Sequence, residues 1–456
     1  MNEYPSNDEK KPTIVTSKVI YNDQLYEQVY NQKSKKTSYV TYLKKEKEIV
    51  YIDQLEDSYF KYIPINNELL QKEVVILAEK PIEYDNEKQL DQETSEYINE
   101  YVDVSKVHLK QDTWYVKLSW VLDNLYTVPY LRALGDYGTG KTRYLDVIGG
   151  ICYKPMFIGG AVRSAPIFRV IDQWRGTAIF DEFTLKQSDE TQDIIQILNN
   201  GFQRGKSVLR CKDGNYDTVI PFDPFGAKIL ATKKEFKDSA LESRCITEIL
   251  RETNRTDIPI DLGKSFFEKR NDLQNKLLMY RLKNWDKINP DETKKVNFGH
   301  VQPRIKQCFL PFTVLFAHDE NILQQFIQEV KIYNNRLIES NSTSFDGQII
   351  NCFIKMKIDN WKYITSKDIR DFLVNEFNFK DSLNERTIGK HLKTLGFNSN
   401  PEKTPNGTKR TIKIEDCHLK RLVFRYADPE MQNEILEHIL KDGSQKKLIG
   451  EEDGLQ

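Results

Sequence analysis

Residues 135–142 read Gly-Asp-Tyr-Gly-Thr-Gly-Lys-Thr, and this stretch indicates the fold more directly than any other. It matches GxxxxGK[ST], in which glycines let backbone N–H groups turn inward around phosphate oxygens. An apolar run at 130–134 precedes it and a helical run at 142–148 follows it. The sequence therefore predicts an ATP and Mg²⁺ site, whose nucleotide-binding residues are Gly135, Tyr137, Gly138, Thr139, Gly140, Lys141 and Thr142. Lys141 would reach the β- and γ-phosphates, and Thr142 would bind the metal.

Two later apolar runs end in the polar side chains that such a site needs. The run at 176–180 leads into Asp181, predicted to hold Mg²⁺, and Glu182, predicted to polarise the attacking water. The run at 227–232 ends in Thr232, which could orient that water or simply cap its strand. Ligands bind at the carboxyl ends of parallel strands, so these side chains would meet at one edge of a sheet. A strand that ends in solvated acids is the plainer alternative.

Composition limits the classes of protein to which the chain can belong. The 456 residues suggest about three domains. A net charge of −1, from 67 basic and 68 acidic residues, excludes a surface that is basic throughout. Aromatic residues make up 11%, too many for a disordered chain, and no apolar run reaches the length of a membrane span. The six cysteines are dispersed and form no CxxC pair, which argues against a zinc site and favours a reducing cytoplasm. The first residues lack the apolar core of a signal peptide.

The order of these parts resembles the core of AAA+ ATPases across about residues 105–340, and more narrowly the MCM-like replicative helicases of mobile genetic elements. The resemblance implies an α/β P-loop core at 105–260 and a helical lid at 261–344. It also implies a ring, expected to be a hexamer, that hydrolyses ATP at subunit interfaces. Arg244, which precedes the apolar run at 246–250, would serve as an arginine finger toward the next subunit, with a surface ion pair as the alternative. Arg304 follows Pro303 as in the lid helix that carries the second sensor arginine, and would touch nucleotide; a purely structural role at the start of this helix is the alternative.

A β-hairpin is predicted at 207–220, with a Lys-Asp-Gly-Asn turn at 212–215. In MCM-like helicases a hairpin at this place projects into the central pore and grips one DNA strand. The resemblance makes Lys212 the gripping residue, with Arg210 behind it. A plain surface hairpin remains open. The chain lacks the Cys-rich zinc module of MCM proteins, which puts double-hexamer formation in doubt.

The two ends of the chain are predicted to form further domains. Residues 1–104 read as a small α+β domain with strands at 48–52 and 74–78, and 429–456 as a flexible tail. Residues 345–428 read as a winged helix, with helices at 365–377 and 384–395, a loop at 401–406 and a strand at 410–414. Residues 351–425 hold 16 Lys and Arg against nine Asp and Glu. The predicted contacts to duplex DNA are Arg386, Lys390, Lys393, Lys409 and Arg410. A winged helix that binds protein is the alternative.

Further helices are predicted at 114–126, 266–288, 302–317 and 321–337, with a linker at 340–344. The leading functional interpretation is an ATP-driven, ring-forming DNA helicase. A replication initiator or helicase loader that uses ATP as a switch would share the core and the winged helix but would not need Lys212. A protein remodeller or signalling switch is the third interpretation, and the basic C-terminal region weighs against it.

Overall fold

The computed structural model describes residues 11–159, 164–181, 189–212, 215–317, 319–377, 383–405, 407–427 and 432. The chain divides into two compact units. The first comprises Met1–Asn297 and Arg304–Leu323, and the second Phe298–Pro303 and Gln324–Gln456. The five domain ranges drawn from the sequence stay predictions. Among the described helices, none combines the length and the apolar character that crossing a membrane requires.

The first unit begins with two small sheets and two helices. Their elements are β1 (Thr13–Val15), β2 (Lys18–Tyr21), β3 (Gln24–Asn31), β4 (Lys36–Leu43), β5 (Glu48–Ile52), β6 (Leu55–Glu56), β7 (Lys61–Ile63), α1 (Glu68–Gln71) and α2 (Glu87–Tyr101). Strands β2 to β5 form an antiparallel meander, and β7 pairs with β1 and β6. Asn22 and Asp23 both have positive φ, which suits the two-residue turn from β2 to β3. The strand predicted at 48–52 is confirmed as β5.

A five-stranded parallel sheet forms the centre of the first unit, so the chain is a mixed α/β protein. The elements are α3 (Lys106–Ser119), β8 (Tyr130–Leu134), α4 (Lys141–Tyr144), α5 (Ser164–Trp174), α6 (Asp189–Gly201), α7 (Ser239–Glu242), β9 (Pro155–Ile158), β10 (Thr177–Phe180), β11 (Val208–Lys212), β12 (Asn215–Phe222), β13 (Lys228–Thr232) and β14 (Cys245–Ile249). The strand order is β14-β8-β13-β10-β9. A π-helical turn, Leu145–Gly149, continues α4. Strands β11 and β12 pair with each other as the predicted hairpin, whose tip, 213–214, lies outside the described residues.

Two predictions for this unit are wrong. The segment 74–78 is not a strand of the N-terminal sheets, although most of it is buried. It runs beside the edge strand β9, where Val75 makes a single antiparallel bridge with Met156. The helix predicted at 114–126 begins earlier, at Lys106, because the Ser105 side chain accepts a hydrogen bond from the His108 N–H and caps it. It ends at Ser119.

The helices that follow the sheet are α8 (Lys264–Asn284), α9 (Pro303–Phe309) and α10 (Glu320–Ser342), with 3-10 helices at Pro290–Lys295 and Leu310–Leu315. The predicted helix at 302–317 stops being α-helical at Phe309, because Pro311 lacks the N–H that an α-helix would use there. The linker predicted at 340–344 is also wrong. Helix α10 continues to Ser342, and the Ser344 hydroxyl caps the helix that follows.

The second unit continues with four helices and a hairpin around one apolar core. These are α11 (Phe345–Ile358), α12 (Ser366–Phe377), α13 (Glu385–Thr394), α14 (Asp416–Tyr426), β15 (Asn398–Thr404) and β16 (Gly407–Lys413). Thr365 caps α12: its hydroxyl accepts from the Asp368 N–H while the Asp368 carboxylate accepts from the Thr365 N–H. The predicted loop at 401–406 is largely strand, since β15 runs to Thr404 and pairs Pro401 with Arg410. Pro401 fits there because a two-stranded ribbon leaves one edge of each strand unpaired.

A buried ionic network joins the N-terminal meander to the central sheet and to α8. Glu27 on β3 is 1% exposed, and its carboxylate meets the amine of Lys154, just before β9, and the guanidinium of Arg281 on α8. The Tyr153 hydroxyl donates to the same carboxylate at 3.0 Å. Arg281 also pairs with Asp123. Burial raises the pKa of Glu27, but the charges of Lys154 and Arg281 outweigh it, so its pKa lies below the ordinary value.

Replacing Glu27 by glutamine should lower the free energy of unfolding by about 3–5 kcal/mol, because Lys154 and Arg281 would keep buried charges without their partner. Urea denaturation at neutral pH, followed by circular dichroism, measures the change. Glu268→Gln is the matched control, since the Glu268 carboxylate is 64% exposed and pairs with Lys264 on the same helix. Equal, small losses in the two variants would contradict the structural role of the network.

Candidate nucleotide-binding site

The glycine-rich loop lies between β8 and α4, as the motif requires. Gly138 and Gly140 have φ values of +76° and +84°, a region that side chains with a Cβ seldom adopt. A Cβ on Gly135 would lie 2.6 Å from the Thr139 hydroxyl oxygen and 2.7 Å from the carbonyl oxygen of Leu250. The N–H of Gly135 donates to the Thr232 carbonyl at 3.1 Å. Close packing against the ends of two neighbouring strands therefore requires glycine at the first position of the loop.

Lys141 and Thr139 both donate hydrogen bonds to the carbonyl oxygen of Asp136 inside the loop. The Lys141 side chain is nearly buried, so its amine is held against the loop backbone. Tyr137 extends outward with 70% of its surface exposed, and the amine of Lys233 lies 3.3 Å from the centre of its ring. Lys233 adds a cation beside the loop that the sequence analysis missed. Its position directly after Thr232 was the available signal.

Thr142 and Asp181 meet at the carboxyl edge of the sheet. The Thr142 hydroxyl donates to the two carboxylate oxygens at 3.1 and 3.4 Å. A hydroxyl and a carboxylate in contact are oxygen ligands of the kind that Mg²⁺ prefers, so the residues present fit this ion. Asp146 lies in the turn that continues α4, and burial and the charge of Asp181 raise the pKa of its carboxyl. Asp146 was missed by the sequence analysis, although its position four residues after Thr142 on a helix was a signal.

Thr232 ends β13, between the strand that leads into the loop and the strand that leads to Asp181. Its side chain is 3% exposed, and its hydroxyl has no hydrogen-bond partner within the described ranges. A buried hydroxyl without a partner costs about 1–3 kcal/mol. The Thr232 hydroxyl is therefore better placed to bond a water or a phosphate oxygen than to cap its strand. Glu182, the predicted water-polarising carboxylate, lies outside the described residues.

Arg244 lies at the opposite edge of the sheet from the phosphate loop. Its carbonyl oxygen accepts a hydrogen bond from the N–H of Tyr130, the first residue of β8, whereas the loop follows the last residue of that strand. Five residues of β-strand span roughly 16 Å. The loop and Arg244 of one chain are thus held apart by the length of β8.

Arg304, which the sequence analysis treated separately, lies beside Arg244. Their guanidinium carbons lie 5.9 and 5.4 Å from the centre of the Phe202 ring. Burial lowers the pKa of Arg244, and the charge of Arg304 lowers it further. Neither arginine takes part in an ion pair within the described part of the chain, and Arg304 donates to Gln307. Two guanidinium groups on one ring form a site of concentrated positive charge that suits an anion.

A partly buried ion pair holds the segment that carries Arg244. Glu242, two residues earlier, pairs through both oxygens with Arg132, whose side chain is 2% exposed in the middle of β8. Glu242 also accepts from the N–H of Phe236 at 2.8 Å, and Arg132 donates to the Thr247 hydroxyl at 3.0 Å. Arg132 was not predicted as a site residue, because it interrupts an otherwise apolar strand. These contacts connect the position of Arg244 to the strand that leads into the phosphate loop.

The predicted DNA-contacting residues fall into two groups. Arg210 on β11 pairs with Asp193 at 2.9 Å and lies 4.8 Å from the centre of the Phe168 ring, so it fastens the hairpin to α5 and α6. Lys212 ends β11, and its side chain lies outside the described residues. In the second unit, exposed cations lie on one face of α13, away from the buried Ile388 and Leu392, and on β16; they are Arg386, Lys390, Lys393, Lys409 and Arg410.

A buried polar cluster lies behind the phosphate loop. Tyr144, on the helix that follows the loop, donates to Asp112 of α3 at 2.6 Å. His108 on the same helix pairs with Glu248 of β14. Asp112 is 1% exposed, and burial raises its pKa to about 7. The protonation state of this carboxyl is therefore linked to packing around the first turn of α4.

Comparisons with known proteins give structural similarity only. No family model matches the chain, and no curated protein matches it. The chain is similar to a solved structure described as SCCmec type IV Cch, an active helicase. The two sequences are 11% identical, the match covers 88% of this chain and 79% of that chain, and the TM-score is 0.40. It is also similar to the apo NrS-1 C-terminal region, with 12% identity, coverages of 86% and 97% and a TM-score of 0.33. A JCV helicase has 13% identity, coverages of 54% and 73% and a TM-score of 0.22. The function proposed below rests on the side chains of this chain.

Asp112→Asn should make the first unit more stable above pH 7. The pKa of about 7 in the folded chain exceeds the unfolded value of about 3.9, so the folded chain retains a proton that the unfolded chain has lost. Stability in the wild type must then decline as pH rises from about 4 to about 7. Asparagine does not titrate and still accepts from Tyr144.

Urea midpoints of wild type and Asp112→Asn at pH 5 and pH 7.5 measure this effect. The expected gain at pH 7.5 is on the order of 2 kcal/mol, with a smaller difference at pH 5. The pKa of His108 is also raised, since the hydrogen bond and charge of Glu248 outweigh its burial. The stability that protonated His108 contributes is therefore lost as pH rises. For this reason the stability of the variant should still depend on pH to some extent. A gain independent of pH would contradict the raised pKa of Asp112.

Proposed function

We propose that this protein is an AAA+ ATPase of the MCM-like kind that works as a DNA helicase in the replication of a mobile element. The observation that carries the proposal is the contact of Thr142 with Asp181, 3.1 Å apart, directly after a glycine loop whose φ angles require glycine. That arrangement supports binding of ATP with Mg²⁺ at the carboxyl edge of a parallel sheet.

Each residue of the site has a proposed part in hydrolysis. Bound Mg²⁺ would supply positive charge at the β- and γ-phosphates, and Thr142 and Asp181 are the residues that would hold it. The N–H groups of the loop would bind phosphate oxygens, and the Lys141 amine would leave the Asp136 carbonyl for the γ-phosphate. Glu182 would take the proton of the attacking water, and the Thr232 hydroxyl would orient that water.

Arg244 and Arg304 would act on the nucleotide of a neighbouring subunit. Their place at the amino edge of β8, about five strand residues from the loop of their own chain, favours action in trans. Their lack of ion-pair partners in the described part of the chain favours binding of an anion. We therefore propose a closed ring, a hexamer by resemblance, in which head-to-tail contacts repeat the same interface.

DNA is the proposed partner of two surfaces. The hairpin of β11 and β12 would enter the pore, with Lys212 near its tip in contact with a single strand. The helices and hairpin of the second unit would form a winged helix, whose exposed cations on α13 and β16 would contact phosphates of duplex DNA. One observation favours the second candidate, an initiator or helicase loader: Arg210 is already paired with Asp193, which leaves the hairpin with fewer cations for a strand.

Strand displacement on a forked duplex with ATP tests the proposal. The wild type should unwind the fork, and Lys141→Ala should lose unwinding because the γ-phosphate loses its lysine. Lys264→Ala is a matched control, since that side chain is 91% exposed on the first turn of α8. A wild type that binds DNA but does not unwind it would favour the initiator or loader. A wild type that neither binds nor unwinds DNA would contradict every DNA-based function and leave the protein remodeller.

Mixing two inactive variants tests action in trans. Lys141→Ala and Arg244→Ala should each reduce ATP hydrolysis by about 100-fold or more, since a finger arginine contributes at least this much in related reactions. An equimolar mixture should recover about a quarter of wild-type hydrolysis, because one in four interfaces joins an intact loop to an intact arginine. A mixture no more active than its components would mean that Arg244 does not act across an interface.

A further inference from the structure

We propose that the second unit carries a site for one unpaired base of single-stranded DNA, formed by Trp361 and the cavity beside it. The site lies between the end of α11, the segment that follows it and β16. It is separate from the phosphate loop and from the exposed cations of α13. The inference rests on the proposed function, because it presumes that separated DNA strands reach this unit.

The cavity has the composition of a base-binding pocket. Its volume is about 180 Å³, and Phe353, Ile364 and Ile412, all less than 10% exposed, form its apolar part. Trp361 forms one wall. Apolar side chains beside an aromatic ring accept the face of any nucleobase, because every base has a π-face.

Trp361 is exposed to solvent just after the end of helix α11. It is 44% exposed, whereas Trp120, Trp174 and Trp285 are buried. Helix α11 ends in a Schellman motif: Asn360 has a φ of +59°, its N–H donates to Lys357, and the Trp361 N–H donates to Met356 at 2.9 Å. These bonds fix the backbone of Trp361 at the helix end and leave its indole half-exposed. A half-exposed aromatic ring is the feature on which single-stranded nucleic acids stack.

Cations surround the cavity and favour nucleic acid over an uncharged ligand. Lys357, Lys362 and Lys413 line it, and Glu402 is its one lining acid among the described residues. Glu402 is already paired with Lys413 and accepts from Thr411, so its charge is neutralised. Lys357 and Lys362 are exposed and belong to no ion pair in the described ranges. They can contact the phosphates on either side of a stacked base.

The cavity shares strand β16 with two of the cations already predicted to contact DNA. Thr411, Ile412 and Lys413 line it, while Lys409 and Arg410 lie earlier on the same strand. A paired base is already stacked and bonded within its duplex, so only an unpaired base can enter. We therefore expect duplex phosphates on the first part of β16 and a separated strand at its end.

Fluorescence anisotropy with a short fluorescein-labelled oligothymidylate tests the site in the full chain. Trp361→Ala should weaken binding by about 5- to 150-fold, the range for loss of one stacked base, whereas Trp361→Phe should stay close to wild type. Lys357→Glu with Lys362→Glu should weaken it as well. Tyr59→Ala is the matched control, an exposed aromatic of the first unit with 66% of its surface exposed. ATP hydrolysis without DNA should be unchanged in all of these variants.

Intrinsic fluorescence provides an independent readout. Oligothymidylate should quench the wild-type tryptophan emission, and the quench should be lost in Trp361→Phe although that variant still binds. Wild-type affinity in Trp361→Ala, or no quench in the wild type while DNA still stimulates ATP hydrolysis, would overturn this site and leave the helicase proposal standing. A wild type that hydrolyses ATP but binds no oligothymidylate would overturn both.

Discussion

The first unit depends on the ion pairs that the buried carboxylate of Glu27 forms with Lys154 and Arg281. A carboxylate at 1% exposure is strongly unfavourable unless its charge is matched, and here two cations and a tyrosine hydroxyl match it. The matching groups come from the N-terminal meander, from the segment before β9 and from α8. Because none of these segments can move away without leaving a buried charge alone, the N-terminal strands and the central sheet share one folded unit.

Within that unit, β8 organises the candidate site. Its carboxyl end leads into the phosphate loop, its amino end holds Arg244 through the Tyr130 N–H, and its middle residue Arg132 grips Glu242. A parallel strand necessarily has its two ends at opposite edges of the sheet. This simple geometry separates Lys141 from the pair of arginines on Phe202, and it is the physical reason for proposing that a complete site needs two subunits.

Much of the central sheet could be predicted from sequence. The strand before the loop, the run that ends at Phe180, the strand that ends at Thr232 and the hairpin all have strong local signals: apolar runs of strand length bounded by glycine or by polar residues. The segment at 74–78 has the same local signal but is not a strand. Val75 forms an isolated bridge with Met156, far along the chain, and that pairing cannot be read from the segment itself.

The sequence was sufficient for the phosphate loop and for the residue types that surround it, because GxxxxGKT acts through backbone angles and side chains within eight consecutive positions. Relations between distant positions could be decided only by the tertiary structure. The approach of Asp181 to Thr142, the sharing of Phe202 by Arg244 and Arg304, and the network around Glu27 each join residues far apart in the chain. Such contacts depend on the order of strands in the sheet and on burial of charge, and neither is encoded in any short stretch of the sequence.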